Sequence, residues 1–492
     1  MLAITPLGEW LDYWRLRAPS REALIEADTG ARWNYQQLAD ACDRLTGALR
    51  AERVAAGDRV ALLARNRVET ILLLFACARL RAVLVPLNTR LTAAELTGLL
   101  QDAEPCLLLH DDTQAATIPR LQHACPAKPL TDLQALAGSP APLSQTDPEQ
   151  PVLMLYTSGT TGKPKGALLS QRMVCWNAIN TSISWDLSGA DSTIIHTPFF
   201  HTGGLHVLTT PLLLRGGRLV LLPVFDPEQV LHWLETARIS TLFAVPTMFQ
   251  RLLDSPAFAD TDLSHLRFCI SGGAPCPVEL IERYQARGVV FIQGYGLTEA
   301  GPNCFTLPAH DALAKQGSVG FANFATRAQV VDEAGHPVPV GSVGELWLAG
   351  PTLCSGYWRN PSATRQLFQD GWLKTGDLVR QDAEGYTWIV DRKKDMYISG
   401  GENVYPAEIE AVLLQFPAIA EAAVVARPDA EWGEVGVAHL VLKPGQVWDE
   451  AALRAFLQTR LARFKQPKTY CIETMLPRTT TGKIQKNQLK EI

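Results

Sequence analysis

Short apolar runs, β-branched or leucine-rich, alternate with helical patterns along most of this chain. The runs fall at 82–86, 152–156, 193–197, 219–222, 241–245, 268–270 and 289–292, with helix-like patterns such as 36–50 and 227–237 between them. Strands separated by helices pair mainly in parallel, because each helix carries the chain back to the start of the next strand. The expected class is therefore α/β, with parallel-rich sheets. At 492 residues the chain exceeds one ordinary core, so two or three domains are expected. After about residue 317 the pattern changes to shorter strands at 344–348, 386–390 and 422–426, set among glycines. The charged run DRKKD at 391–395 follows a finished strand and precedes a tail with its own helix at 449–464, so it reads as a linker. The expected organisation is a large multi-subdomain N-terminal domain (1–391), a hinge (392–396) and a small α+β C-terminal domain (397–492).

Composition narrows the class. Hydrophobic residues at 47% and charged residues at 19% describe a packed chain, and a net charge of −5 gives no general attraction for nucleic acid. Ten scattered cysteines without a CxxC pair suit reduced thiols in a cytoplasmic protein. The N-terminal segment lacks the basic start and apolar run of a secretory signal. The stretch 71–78 ends at Arg79, too short for a membrane span, and reads as a buried helix.

Three of the strand-like runs end in unusual loops: TSGTTGKPKG (157–166), SGGAP (271–275) and GYGLTE (294–299). In open parallel sheets ligands bind beyond the carboxyl ends of strands, so three such junctions point to one shared site. The first loop combines glycines that admit backbone N–H groups, hydroxyls that donate further bonds, and Lys165, which offsets anionic charge. It is not a Walker A loop: two residues separate Gly159 from Gly162, and Lys163 precedes Pro164. Taken as a surface turn, it would seldom need so many hydroxyls and lysines. Glu299 suits Mg²⁺, which is held by one or two carboxylates together with phosphate oxygens. Taken alone it would equally be a helix N-terminal charge. Tyr295 offers a flat face for a base. Asp377, in GWLKTGD, follows a turn where a carboxylate can accept ribose hydroxyls, and Lys483, in PRTTTGKI, stands behind a glycine. The residues by themselves support a nucleotide-phosphate site and stop short of a reaction.

In this order the motifs YTSGTTGKPKGA, GYGLTEAGP, GELWLAGPTLCSGYW, GWLKTGD, DRKKDMYISGGENVYPAEIE and PRTTTGK resemble the adenylate-forming superfamily, which includes acyl-CoA synthetases, peptide-synthetase adenylation domains and firefly luciferase. The match covers nearly the whole chain. It implies two half-reactions: a carboxylic acid and MgATP give acyl-adenylate and diphosphate, and coenzyme A then takes the acyl group. Carried over residue by residue, Thr157, Ser158, Gly159, Thr160, Thr161, Gly162 and Lys165 match the loop for the β- and γ-phosphates. Gly273, Ala274, Pro275, Gly294, Tyr295 and Gly296 match the adenine walls, Thr298 a phosphate contact and Glu299 the Mg²⁺ ligand. Asp377 and Arg392 match the ribose contacts, and Lys483 the lysine that touches both carboxylate and α-phosphate. Lys394 matches the hinge about which the small domain turns between half-reactions, bringing the SGGEN loop (399–403) towards the site.

HTPFFHTGGLH (196–206) matches the acyl-pocket motif, with His201 at its aromatic position and Trp185, Phe200, Val245 and Thr247 as candidate lining. No acidic residue lies between Asp191 and Asp226 to pair with an α-amine, which argues against an amino-acid substrate. The chain runs nine residues past Lys483, which favours coenzyme A over a carrier domain in cis. The resemblance is strongest to bacterial fatty-acyl-CoA synthetases, so a medium- or long-chain fatty acid is the first expectation. Coumarate- or benzoate-type acids, or an acyl-AMP ligase loading a carrier protein, are the alternatives. A homodimer fits this reading as well as a monomer.

Overall fold

The computed structural model describes residues 5–135, 147–157, 164–274, 276–399, 402–479 and 482–489. It divides into two units: Met1–Ala328 with Leu348–Leu373, and Gln329–Trp347 with Lys374–Ile492.

The first unit is α/β, as its alternation of runs and helices requires. One sheet has nine strands among the described residues. In it Glu22–Glu26, Arg218–Leu221, Ser192–Ile195, Thr241–Ala244, Phe268–Ser271 and Phe291–Leu297 run parallel in that order. Gly301–Thr306 then turns back antiparallel to Phe291–Leu297. The second sheet, with seven described strands, pairs Arg59–Leu63, Val83–Pro86 and Pro151–Thr157 in parallel. It ends in the antiparallel pair Lys165–Ser170 and Gly356–Tyr357. Parallel strands covered on both faces read as continuous apolar runs, and that is how these runs are buried: Val83–Pro86 and Leu107–His110 are buried at every position.

Aromatic packing fixes one flank of the larger sheet. Phe249, Tyr284 and Phe291 meet with ring centroids 4.7–5.3 Å apart, all essentially buried. Each buries about 1.5–3 kcal/mol of apolar transfer energy. The apolar stretch 71–78 lies inside the helix Val68–Leu80, nearly all of it buried, and Arg81 stops it with a left-handed φ of 58°. Among the described residues no helix is long and apolar enough to cross a membrane.

The second unit is built on the antiparallel hairpin Ile419–Asp429 and Gly433–Leu442, with Thr469–Ile472 added in parallel. Helices Pro406–Leu413 and Glu450–Gln458 cover it through Ile409, Leu413, Leu453 and Leu457. The second helix is shorter than the pattern at 449–464 predicts. A 3₁₀ turn, Arg463–Lys465, replaces its end just before Pro467, which cannot continue a helix.

Candidate active site

The motif at 294–302 folds as a hairpin that only glycine admits at two positions. A Cβ on Gly296 would lie 2.1 Å from the Pro302 carbonyl oxygen, and Gly301 has a φ of +80°. Between the two strands a 3₁₀ turn, Thr298–Ala300, carries Glu299 at the carboxyl end of the nine-stranded sheet. The Glu299 carbonyl accepts the Cys354 amide at 2.8 Å, which ties the hairpin tip to the segment leading into Tyr357.

The same local logic builds the facing wall. Thr157 and Lys165 are register partners at the ends of two antiparallel strands, which flank the first glycine-rich loop. Tyr357 pairs with Ala167 on the neighbouring strand, which sets its ring 5.3 Å from Lys165 Nζ. Glu299 Oε1 accepts the Tyr357 hydroxyl at 2.8 Å and the Thr157 hydroxyl at 3.3 Å. Burial, reinforced by the Glu299 charge, raises the Tyr357 phenol well above its ordinary pKa, so it stays a donor. Cys354 is pushed up to about 12, first by burial and then by Glu299. The expected convergence of the first and third loops is therefore observed at their described ends. Ser158, Gly159, Thr160, Thr161, Gly162 and Pro275 lie outside the described residues.

Gly273 has a φ of +82°, and a Cβ there would sit 3.6 Å from Val245 Cγ1. Gly294 and Tyr295 belong to the strand beside the Phe268–Ser271 strand that leads into Gly273 and Ala274, and the Tyr295 ring meets Phe305 edge-on at 5.9 Å. His201 is partly buried, its ring 4.6 Å from that of Phe200 and its amide bonded to the Pro198 carbonyl at 3.1 Å. It leads into a π-helical turn, Gly203–Val207, a local irregularity often found at functional sites. Of the other pocket candidates, Trp185 is core, its indole N–H donating to Thr306 Oγ1 at 2.7 Å, and Thr247 is exposed.

Within the second unit, Asp377 and Arg392 are register partners on antiparallel strands and form an ion pair of 2.5 Å. Asp377 is buried, and Thr375 Oγ1 accepts its amide at 3.0 Å. Lys394 is exposed in a tight turn closed by the Asp395 and Met396 amides on the Arg392 carbonyl. Asp391 anchors both sides of that turn, accepting the Arg392 amide at 2.7 Å and the Ala407 amide at 2.9 Å. Lys483 stands on a second tight turn, where Thr479 and Lys483 bond each other and Gly482 takes a φ of 82°.

Two features escaped sequence reasoning. Tyr357 was legible only as part of SGYW, with nothing to show that its hydroxyl meets Glu299. The other is a buried amide web: Asn303 Nδ2 donates to Thr181 Oγ1 at 2.6 Å and to the Val207 carbonyl at 3.1 Å. Asn303 thereby joins the strand after Glu299 to the π-helical turn, and isolated asparagines carry no periodic signal.

A carboxylate bonded by two hydroxyls thus stands where parallel strands give way to an antiparallel return, the end of such a sheet at which ligands bind. Residues 11–358 match the AMP-binding enzyme family and 408–483 match the AMP-binding enzyme C-terminal domain, and this chain belongs to that family. Feruloyl-CoA synthase from an Amycolatopsis species is 39% identical over 98% of both chains. The long-chain-fatty-acid–CoA ligase FadD13 of Mycobacterium tuberculosis is 37% identical over 97% of both. Among solved structures, o-succinylbenzoate coenzyme A synthetase from Bacillus subtilis in complex with ATP and magnesium ion aligns with a TM-score of 0.89 at 32% identity, covering 99% of each chain. The protein is an AMP-forming acyl-CoA ligase, with ATP and coenzyme A as substrates.

Proposed function

We propose that this ligase activates an aryl carboxylic acid. The observation that carries the reading is the Phe243 ring, at the carboxyl end of the Thr241–Ala244 strand. A Cβ on Gly203 would lie 3.1 Å from this ring and one on Gly272 3.3 Å, so bare backbone packs against it from the acyl motif and from SGGAP. We read this half-buried ring as an apolar surface suited to a planar substrate ring. Similarity to feruloyl-CoA synthase supports it. The expectation of a medium- or long-chain fatty acid stays as the second reading, favoured by the likeness to FadD13.

The residues fit magnesium: one carboxylate, Glu299, among hydroxyls suits a cation that keeps several waters and shares phosphate oxygens. When bound, it would neutralise phosphate charge. Lys165, Thr157, Thr298 and the 158–162 loop hold the β- and γ-phosphates. Gly273, Ala274, Pro275, Gly294, Tyr295 and Gly296 flank the adenine, while Asp377 and Arg392 hold the ribose. His201 borders the acyl group. In the first half-reaction a carboxylate oxygen attacks the α-phosphorus and diphosphate leaves. Two anions meet in that step, and Lys483 offsets their repulsion as charge spreads in the transition state. The small C-terminal domain (397–492) then turns about Lys394, the coenzyme A thiol attacks the acyl carbon, AMP leaves and the thiol proton passes to solvent.

The test is coenzyme A-dependent AMP release over hydroxycinnamic, benzoic, arylacetic, fatty and dicarboxylic acids, with an acyl carrier protein as the competing acceptor. Aryl acids should lead in kcat/KM. A fatty acid in first place would overturn the aryl reading, and faster transfer to the carrier protein would overturn coenzyme A as acceptor.

A further inference from the structure

We infer that Arg478 is a positioning residue for adenylation, holding Lys483 in place through its neighbour's carbonyl. Its guanidinium donates from Nη1 to the Gly482 carbonyl at 2.6 Å and from Nη2 to Glu421 Oε2 at 2.7 Å. Glu421 lies on the Ile419–Asp429 strand of the second unit's central hairpin. One planar fork therefore ties the residue before Lys483 to the unit's central hairpin. Lysine, with a single point charge, does not match that two-ended geometry.

Other bonds restrain the same turn. Arg478 and Ile484 form an isolated antiparallel bridge, and the Lys483 amide donates to Thr479 Oγ1 at 3.1 Å. Three residues on, Lys486 pairs with Glu410 at 2.7 Å, and Glu410 also accepts the Val424 amide at 2.7 Å. Lys483 thus has an ionic staple on each side, at 478 and at 486. The two staples differ in kind. Lys486 and Glu410 are mostly buried, and losing either partner strands a charge and threatens the fold. Arg478 and Glu421 are about one-third exposed, and such pairs contribute little to stability. A partly exposed fork gripping a backbone carbonyl has its main effect on where the next side chain sits. Small displacements of a catalytic group can cost on the order of 10²-fold in rate.

The inference rests on the proposed adenylation role of Lys483, and the experiment separates the two. Full-length wild type, Lys483→Ala, Arg478→Ala, Arg478→Lys and Glu421→Gln are compared in acid-dependent diphosphate release and in thioester formation from supplied acyl-adenylate. Arg478→Ala should lower kcat for diphosphate release roughly 10- to 100-fold, leave the KM for ATP and the melting temperature near wild type, and spare thioester formation. Arg478→Lys should recover part of the loss. Glu421→Gln, which removes the anchor without touching the turn, should show the same selectivity at smaller size. Wild-type diphosphate release in Arg478→Ala, or equal loss of both half-reactions, would overturn the positioning role while leaving Lys483 untouched. Diphosphate release surviving in Lys483→Ala would overturn the Lys483 reading and this inference with it.

Discussion

Glu299 and Lys483 are both charged side chains on tight turns, yet they are held by opposite means. Glu299 sits where a sheet with nine described strands turns back on itself, and its carboxylate collects hydroxyls from Thr157 and Tyr357, 142 and 58 positions away in sequence. Lys483 sits on a turn that is bonded locally by Thr479, Arg478 and Ile484, each within five positions. A group shared among distant elements of a packed sheet moves only if the core moves. A group on a locally bonded turn can travel with its domain while keeping its own geometry, which suits a residue needed in only one of two half-reactions. On the proposed roles, a fixed carboxylate for magnesium and a portable cation for the reacting carboxylate would match these two constructions.

Several changes would break or sharpen that contrast. Lys483→Ala should lower acid-dependent diphosphate release by about 10²–10³-fold, the usual cost of losing an electrostatic contact in a transition state. Thioester formation from supplied acyl-adenylate should persist, and loss of both steps together would tie Lys483 to the whole site. Glu299→Gln should raise the magnesium concentration needed for half-maximal adenylation by roughly 10- to 100-fold. Titrating the metal at saturating ATP reads it out, and an unchanged titration would remove Glu299 from the metal site. Lys394→Pro should slow thioester formation roughly tenfold or more while adenylation continues. Equal slowing of both steps would place the hinge elsewhere.

Tyr357→Phe removes one hydroxyl from Glu299 and should cost about 1 kcal/mol, or roughly fivefold in adenylation kcat/KM. An effect as large as that of Glu299→Gln would mean the hydroxyl itself contacts substrate. A further prediction concerns stability. His196 and His206 are buried, and burial lowers their pKa to about 4 and about 3 from an ordinary 6.5. The unfolded chain therefore binds more protons than the folded one below 6.5. Stability is fully present above that value and falls as pH drops towards the folded pKa, by about 1.4 kcal/mol per pH unit per histidine. Both residues lie in the first unit, so acid melting between pH 6 and 4 should weaken it ahead of the second unit. His206→Gln should flatten the slope, and a slope unchanged by it would assign the acid sensitivity to other groups.

Alternation of apolar runs with helical patterns was enough to call for parallel sheets, because a period-two or continuous apolar strand next to a helix has few ways to bury itself. The loop ends were legible too, since glycine at 296 and 301 marks backbone that other residues cannot adopt. Helix length at 450–458 was overestimated, because apolar periodicity does not register the 3₁₀ turn before Pro467. The ion pair of Asp377 with Arg392 could be suspected only as two separate ribose contacts, since cross-strand register is invisible in one chain.

By itself, then, the sequence determined the class of fold, the order of the motifs and the chemistry that a carboxylate, a glycine-rich hydroxyl loop and a late lysine can perform. Those are properties of local conformation and of residue type, and each is written within a dozen residues. Only the tertiary structure decided that Tyr357 and Thr157 share Glu299, that Asn303 braces the π-helical turn, and that Arg478 spans Gly482 and Glu421. Those contacts depend on strand register and sheet order, which arise from packing summed over whole elements and leave no periodic trace at the residues they join.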